Sequence, residues 1–171
     1  MKIVQDFQAV DLEHVALSSL IEFDHGDGLA LGVPVYRDAM NDLFTVAVFG
    51  VRGSNVRPFV TNLAAYGYCL SYGTEWAVEL RGTDSFTGDR SAGLIYIDAN
   101  APVLRFGAAP VGGIHRGPLH LNLATMKPTG TEGSGIPISH WAIWARQEHI
   151  GQPHREPLFV FNTNESKSAS Q

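Results

Sequence analysis

Residues 43–51 read LFTVAVFGV, and this stretch decides the fold class of the chain. It carries no charge, and most of its side chains are β-branched or aromatic, which are the types that favour strands. Apolar residues follow one another instead of alternating with polar ones, which is typical of a strand covered on both faces. Polar segments, MND before it and RGSN after it, mark its ends. We therefore expect a buried central strand here.

Shorter strands are predicted around this central strand by two-residue alternation or by short apolar runs. In EWAVELR at 75–81, Trp76, Val78 and Leu80 fall on one face, as in a sheet with one solvated side. The segment DHGDG at 24–28 predicts a tight turn, because its glycines tolerate positive φ. Further strands are predicted over 1–7, 94–98, 103–106, 119–123 and 158–161.

Two segments are predicted as helices. Residues 11–21, with Asp11 as N-cap, place apolar side chains loosely on one helical face, although the end of this segment also suits a strand. Residues 58–72 repeat apolar side chains every three or four positions. Pro58 at the start and Gly73 just past the end are the residues expected at helix boundaries.

Residues 138–150 are ambiguous, because they combine helix boundary signals with β-branched and aromatic residues; we expect a strand through Trp144 that ends in a turn. With many strand candidates, the chain is predicted to be mainly β, an antiparallel barrel or sandwich with one or two packed helices. A mixed α+β fold is the alternative. We expect one globular domain over 1–161 and a polar, mobile C-terminal tail over 162–171.

Charge and composition exclude several classes of partner. The net charge is −5, and the arginines are spread singly along the chain instead of forming the basic face that nucleic acid requires. No apolar run approaches the ~20 residues of a membrane span, and the N-terminus does not read as a signal peptide. The single Cys69 cannot form an internal disulfide, and its apolar neighbours predict a small core residue. These features predict a cytoplasmic protein that binds neither nucleic acid nor membrane.

The most suggestive polar segment is VGGIHRGPLHLNL at 111–123. His115 and His120 are five residues apart, so in one continuous strand they would point to opposite faces, unless Gly117 and Pro118 reverse the chain between them. Neither H-x-H nor HExxH occurs, and one cysteine cannot build a multi-cysteine zinc site, so we predict no metal and no cofactor. The leucines of this segment are expected to face a core while His120 points the other way; they are Leu119, Leu121 and Leu123.

Aromatic residues, 10% of the chain, supply both apolar area and polar groups, which suits a ligand pocket as well as a core. We therefore predict a small-molecule-binding protein with an aromatic-lined pocket for a small, mostly apolar ligand. One alternative is a hydrolase, lyase or isomerase that uses a histidine as general base, with or without a metal. Another is a homo-oligomeric interaction protein, most simply a homodimer, without catalytic activity. The predicted ligand-binding residues are His115, Arg116, His120, His140, Trp141 and Trp144.

Overall fold

The computed structural model describes residues 5–26, 28–83, 91–98, 101–108, 118–130 and 137–163. Within these ranges the chain forms fourteen strands and two single turns of 3₁₀ helix, Leu12–His14 and Gln147–His149. The strands are β1 Gln8–Asp11, β2 Leu20–Asp24, β3 Leu29–Asp38, β4 Leu43–Val51, β5 Phe59–Ala64, β6 Tyr68–Gly73, β7 Ala77–Gly82, β8 Ile95–Asp98, β9 Ala101–Phe106, β10 Leu119–Asn122, β11 Lys127–Thr129, β12 Pro137–Ile138, β13 His140–Trp144 and β14 Phe159–Asn162.

The strands build three antiparallel sheets. The large sheet has the order β1-β6-β2-β3-β4-β5, the five-stranded sheet the order β11-β10-β9-β8-β12, and the three-stranded sheet the order β14-β13-β7. The predicted mainly β class is confirmed, and it takes a sandwich-like form in which no sheet of the described residues closes into a barrel. The same residues contain no α-helix, so the prediction of one or two packed helices is wrong for this part of the chain.

Strand β4 occupies the central position that its sequence predicts. It pairs with β3 on one side and β5 on the other, and every residue after Leu43 is buried. Ala47 and Phe49 belong to the main core, whereas Phe44 and Val46 belong to a second core on the opposite face of the large sheet. A strand covered on both faces has no solvated side, which explains why LFTVAVFGV does not alternate.

The main core lies between the large sheet and the two smaller sheets, and its centre is aromatic. The Trp141 ring stacks on Phe161 with a centroid distance of 5.1 Å and an interplanar angle of 18°. Phe49 reaches across from β4 to contact Phe106 at 5.7 Å and Trp141 at 6.1 Å. Offset and edge-on contacts of this kind stabilise a core beyond the area that they bury.

The large sheet is strongly curved because of a short connection. Strands β5 and β6 are separated by three other strands in the sheet order, which is about 19 Å in a flat sheet. Only residues 65–67 join them, and four Cα–Cα steps from Ala64 to Tyr68 span at most about 15 Å. The sheet must therefore bend until its sides approach each other. The bend encloses the second core, which includes Ala65 and the buried Cys69.

The helix predicted over 58–72 is wrong, because this segment forms β5 and β6 with a turn between them. Gly67 has φ +95° in that turn, a conformation that breaks any helix, and the two strands have different neighbours, β5 pairing with β4 and β6 with β2 and β1. The apolar spacing of three and four residues came from two strands in succession, each with its own buried face.

The helix predicted over 11–21 is also wrong beyond its first turn. Asp11 acts as the predicted N-cap, since its side chain accepts a hydrogen bond from the Glu13 backbone N–H at 3.4 Å. The turn ends after His14, and Leu20 already belongs to β2, which pairs with both β3 and β6. Tertiary pairing of β2 thus overrides a weak local helical pattern.

Most strand predictions are confirmed. The ambiguous segment 138–150 forms β13 through Trp144 and then a 3₁₀ turn, as expected. The turn at 24–28 joins β2 to β3, and the Asp24 side chain accepts a hydrogen bond from the Gly26 backbone N–H at 2.8 Å.

The first strand begins at Gln8 and not within 5–7. Residues 1–4, 109–117 and 164–171, which include most of the predicted tail, lie outside the described residues.

Candidate functional site

An irregularity in the pairing of β3 with β4 shapes one end of the main core. Pro34 lies opposite Val46 and Tyr36 lies opposite Thr45, so Val35 is an extra residue without its own partner position, a β-bulge. A bulge changes which face the following side chains occupy. Because directly paired residues share a face, Tyr36 stands on the same inner face as Thr45 instead of on the outer face.

The bulge creates the floor of a cleft between two sheets. Beyond it, Asp38 pairs with Leu43, and Asn62 of β5 pairs with Thr45, so all of these residues share the inner face of the large sheet. The opposite wall belongs to the five-stranded sheet. We call this space, of ≈ 790 Å³, the inter-sheet cleft; the described residues that line it are Val35, Tyr36, Asp38, Asn41, Leu43, Thr45, Asn62, Leu119 and Pro128.

The rim of the inter-sheet cleft is polar and carries a negative charge. The Asp38 carboxylate accepts hydrogen bonds from the Asn41 side chain at 2.7 Å and from the Met40 backbone N–H at 3.0 Å. These bonds, the Asn41 side-chain bond first, lower the pKa of Asp38 below its usual range, so the carboxylate is ionised at neutral pH. The Tyr36 side chain, 60% exposed, lies beside this rim.

Both predicted ligand-binding tryptophans lie away from the inter-sheet cleft. Trp141 is fully buried among core rings, and its Nε1–H donates a hydrogen bond to the Gly93 carbonyl at 2.7 Å. Trp144 is also buried, and its Nε1–H donates to the Glu79 carboxylate at 2.8 Å. Both indole N–H groups are therefore used inside the protein. The structure gives these rings a packing role, and ligand binding by them stays a prediction.

The two predicted histidines within the described residues lie in different sheets. His120 lies in β10 of the five-stranded sheet and His140 lies in β13 of the three-stranded sheet. His115 and Arg116 lie outside the described residues. The alternation prediction for β10 is confirmed, since Leu121 is in the main core and the neighbouring leucines pack against it. His120 is nevertheless buried on its own side of the sheet. A histidine-based enzyme and ligand binding by these residues both stay predictions.

The sequence reasoning missed the residues of the inter-sheet cleft, although one signal for them exists. Strand β3 contains Pro34, and proline within a central strand cannot donate a ladder hydrogen bond. Such a proline usually accompanies a bulge or an edge strand. The letters VPVY at 33–36 therefore contain a hint that the alternation of facing changes at this point. Nothing in the sequence alone fixes which residues then face inward.

Other chemically active groups of the described residues lie elsewhere. One group of potential metal ligands, Asp11, Glu13 and His14, has its ligand atoms within 4.8 Å of one another, but two of the three residues are exposed. Cys69 is the predicted small core residue; burial first, and then the charge of Asp11, raises its pKa to about 11. The thiol is therefore protonated, and unreactive as a nucleophile, at neutral pH.

Comparisons of the chain with known protein families, with curated proteins and with solved structures give no match. The helical segments of the described residues are two single turns, and neither has the length or the apolar character needed to cross a membrane.

Proposed function

We propose that the protein binds a small, mostly apolar molecule in the inter-sheet cleft. One observation carries this proposal. Side chains fill the inner face of the large sheet at its aromatic end, but a space of ≈ 790 Å³ stays open at the other end. Small-molecule sites are typically concave, about 300–1,000 Å³ in volume, and lined by apolar groups with a few polar ones. The inter-sheet cleft has this size and this composition.

The lining residues define the class of ligand. Val35, Leu43 and Leu119 offer apolar surface to the body of the molecule. Asn62 and Asn41 offer amide donors and acceptors, which orient a polar end. The ionised Asp38 at the rim repels anions. The ligand that fits best is therefore neutral or singly cationic, with an apolar body and one hydrogen-bonding end.

The proposal differs from the sequence prediction in the nature of the lining. Tyr36 is the one aromatic residue among the described residues of the cleft, so the ligand meets aliphatic side chains more than rings. The predicted cytoplasmic location and the predicted homodimer accompany the proposal as expectations. Cell fractionation tests the location, and the mass of the purified protein in solution tests the dimer.

Binding is tested with N-phenyl-1-naphthylamine, a neutral apolar dye whose fluorescence rises on leaving water. We expect saturable binding by the full chain, competed by neutral amphiphiles more strongly than by their carboxylate analogues. In Asn62→Trp the added indole occupies the cleft, and we expect affinity to fall by at least about tenfold. The matched control is Ile97→Trp, at an exposed position of β8 outside the cleft, which should bind like the parent protein.

Two outcomes overturn the proposal. One is the absence of saturable dye binding by the folded parent protein. The other is equal affinity in Asn62→Trp and Ile97→Trp, because the dye would then occupy another surface.

A further inference from the structure

A carboxylate is buried at the opposite end of the same inner face. Glu22 of β2 pairs with Leu31 of β3, a main-core residue, so its side chain points toward the three-stranded sheet. Glutamate is rarely buried unless it is paired. Here one carboxylate oxygen, Oε1, accepts a hydrogen bond from Arg52 Nη2 at 2.6 Å, and Oε2 lies 3.4 Å from the Tyr72 hydroxyl.

The ion pair runs from the core to the surface. The Glu22 side chain is 8% exposed, whereas the Arg52 side chain is 70% exposed. The backbone N–H of Arg52 donates to the Leu29 carbonyl at 2.8 Å, which fixes the position of the residue. A guanidinium group has five N–H donors and can hold a carboxylate by two parallel hydrogen bonds. One of these donors binds Glu22, so other N–H groups of the exposed guanidinium can bind an incoming anion.

Tyr72 adds a hydroxyl to the carboxylate end. Burial first, and then the charge and hydrogen bond of Glu22, raise the pKa of Tyr72 to about 12. The phenol is therefore neutral at physiological pH. It donates toward Glu22, and its oxygen keeps the capacity to accept a hydrogen bond from a ligand.

These polar groups line a groove with an apolar wall. The groove has a volume of ≈ 280 Å³ and also contains Ser54. Its wall includes Leu29, Leu158 and Val160, and all three side chains are exposed although they are large and apolar. Exposed apolar side chains that gather on one concave surface are typical of a binding site. The volume suits a ligand smaller than a drug-sized molecule.

We propose that this groove, the Glu22 groove, is a second binding site, and that its ligand is a small apolar α-amino acid. The ammonium group binds the Glu22 carboxylate and the Tyr72 hydroxyl, and the carboxylate group binds the Arg52 guanidinium. The aliphatic side chain of the ligand lies against Leu29, Leu158 and Val160. A ligand with a single charge satisfies only one partner of the ion pair, whereas a zwitterion satisfies both.

The ligand class is tested by calorimetric titration of the full chain with three probes. L-leucine carries both charges, isoamylamine lacks the carboxylate, and 4-methylpentanoate lacks the ammonium group. We expect L-leucine to bind, and each fragment to bind at least about tenfold more weakly, because each loses a charge-assisted hydrogen-bonded contact. No binding of L-leucine at millimolar concentration, or equal affinity for isoamylamine, overturns the proposal.

The site is tested with substitutions at both ends of the ion pair. Arg52→Gln should abolish the preference for L-leucine over isoamylamine; because it removes the counter-charge of the buried Glu22, its fold is checked by circular dichroism. Glu22→Gln should lower affinity for L-leucine, with circular dichroism as the check on its fold. The matched control is Arg81→Gln, which removes a different arginine–carboxylate pair, with Glu79, outside the groove, and should bind L-leucine normally.

Leucine binding that Arg52→Gln leaves unchanged overturns the proposal even if Glu22→Gln fails to fold. Asn62→Trp should leave leucine binding intact, because it fills the inter-sheet cleft at the other end of the sheet. The two proposed sites can thus fail independently.

Discussion

The pairing of β3 with β4 contains two bulges, one toward each end of the molecule. The two bulges have different effects on the space between the sheets. At one end Leu31 pairs with Gly50 and Gly32 with Val48, so the extra residue is Phe49 of β4, whose ring enters the aromatic core. At the other end the extra residue is Val35 of β3, and the inward residue after it is Tyr36. The first end is filled by rings except for the smaller Glu22 groove at its edge, and the second leaves the inter-sheet cleft.

The same pair of strands thus builds a core and a cavity on one face of the sheet. At the filled end the facing sheet supplies Trp141 and Phe161, which close the space. At the open end the five-stranded sheet instead supplies Leu119 and Pro128, which line the space without filling it. Stability should therefore depend on the filled end, and binding of the apolar dye should depend on the open end.

Trp141→Ala should destabilise the protein strongly. It removes the ring at the centre of the filled end together with its hydrogen bond to Gly93, and we expect a loss of about 3–5 kcal/mol in the free energy of unfolding. Urea denaturation measures it. Dye affinity of the fraction that stays folded should not change. A loss below about 1 kcal/mol would mean that this ring is not a core anchor.

Gly50→Ala tests how tightly the filled end is closed. A Cβ at this position would overlap the ring of Phe159, so we expect a destabilisation of about 1–3 kcal/mol from overpacking. Gly130→Ala is the control, since a Cβ there meets nothing within 4 Å, and its thermal midpoint should stay close to that of the parent protein. Equal midpoints for the two variants would contradict tight packing at Gly50.

Tyr36→Ala is the counterpart of Trp141→Ala at the open end. Because the side chain is 60% exposed, we expect the free energy of unfolding to change by less than about 0.5 kcal/mol. Affinity for the neutral dye should nevertheless fall, since the ring lies beside the polar rim. A variant with lower stability and unchanged dye binding would reverse the roles assigned to the two ends.

The turn that holds the rim should make a small, pH-dependent contribution to stability. The pKa of Asp38 is lowered from its ordinary value of 3.8, so its contribution to stability is present above that value and is lost as the pH falls through the lower folded pKa. Denaturation of the parent protein and of Asp38→Asn at a series of pH values measures this. The difference between them should shrink below about pH 4. A difference in stability that grows on acidification would mean that folding raises the pKa of Asp38 instead of lowering it.

The sequence predicts best where one local property decides the structure. LFTVAVFGV is apolar enough to identify β4, and the aromatic, β-branched residues before Trp144 identify β13. The segment 58–72 fails because two short strands around Gly67 imitate helical spacing. Only pairing with other strands removes that ambiguity.

The candidate sites were beyond sequence reasoning for a related reason. The facing of Tyr36 depends on a one-residue shift in register, and register is a property of two strands together. The sequence shows that residue 141 is a tryptophan, but it does not show whether the Trp141 ring contacts a ligand or packs on Phe161. Glu22 occupies an unremarkable place in LIEFD, and its burial follows from the facing of β2 and from the three-stranded sheet beside it.

The short connection over 65–67 also sets an order of assembly. Strands β2 to β5 are consecutive neighbours and can pair through local hairpins as soon as they are synthesised. Strand β6 must instead return to β2 and β1, where Ser71 lies opposite Gln8 from the start of the described chain. We therefore expect closure over Cys69 and its apolar neighbours to be a late, non-local step of folding. Until it occurs, an apolar face of the β2–β5 hairpins is exposed to water.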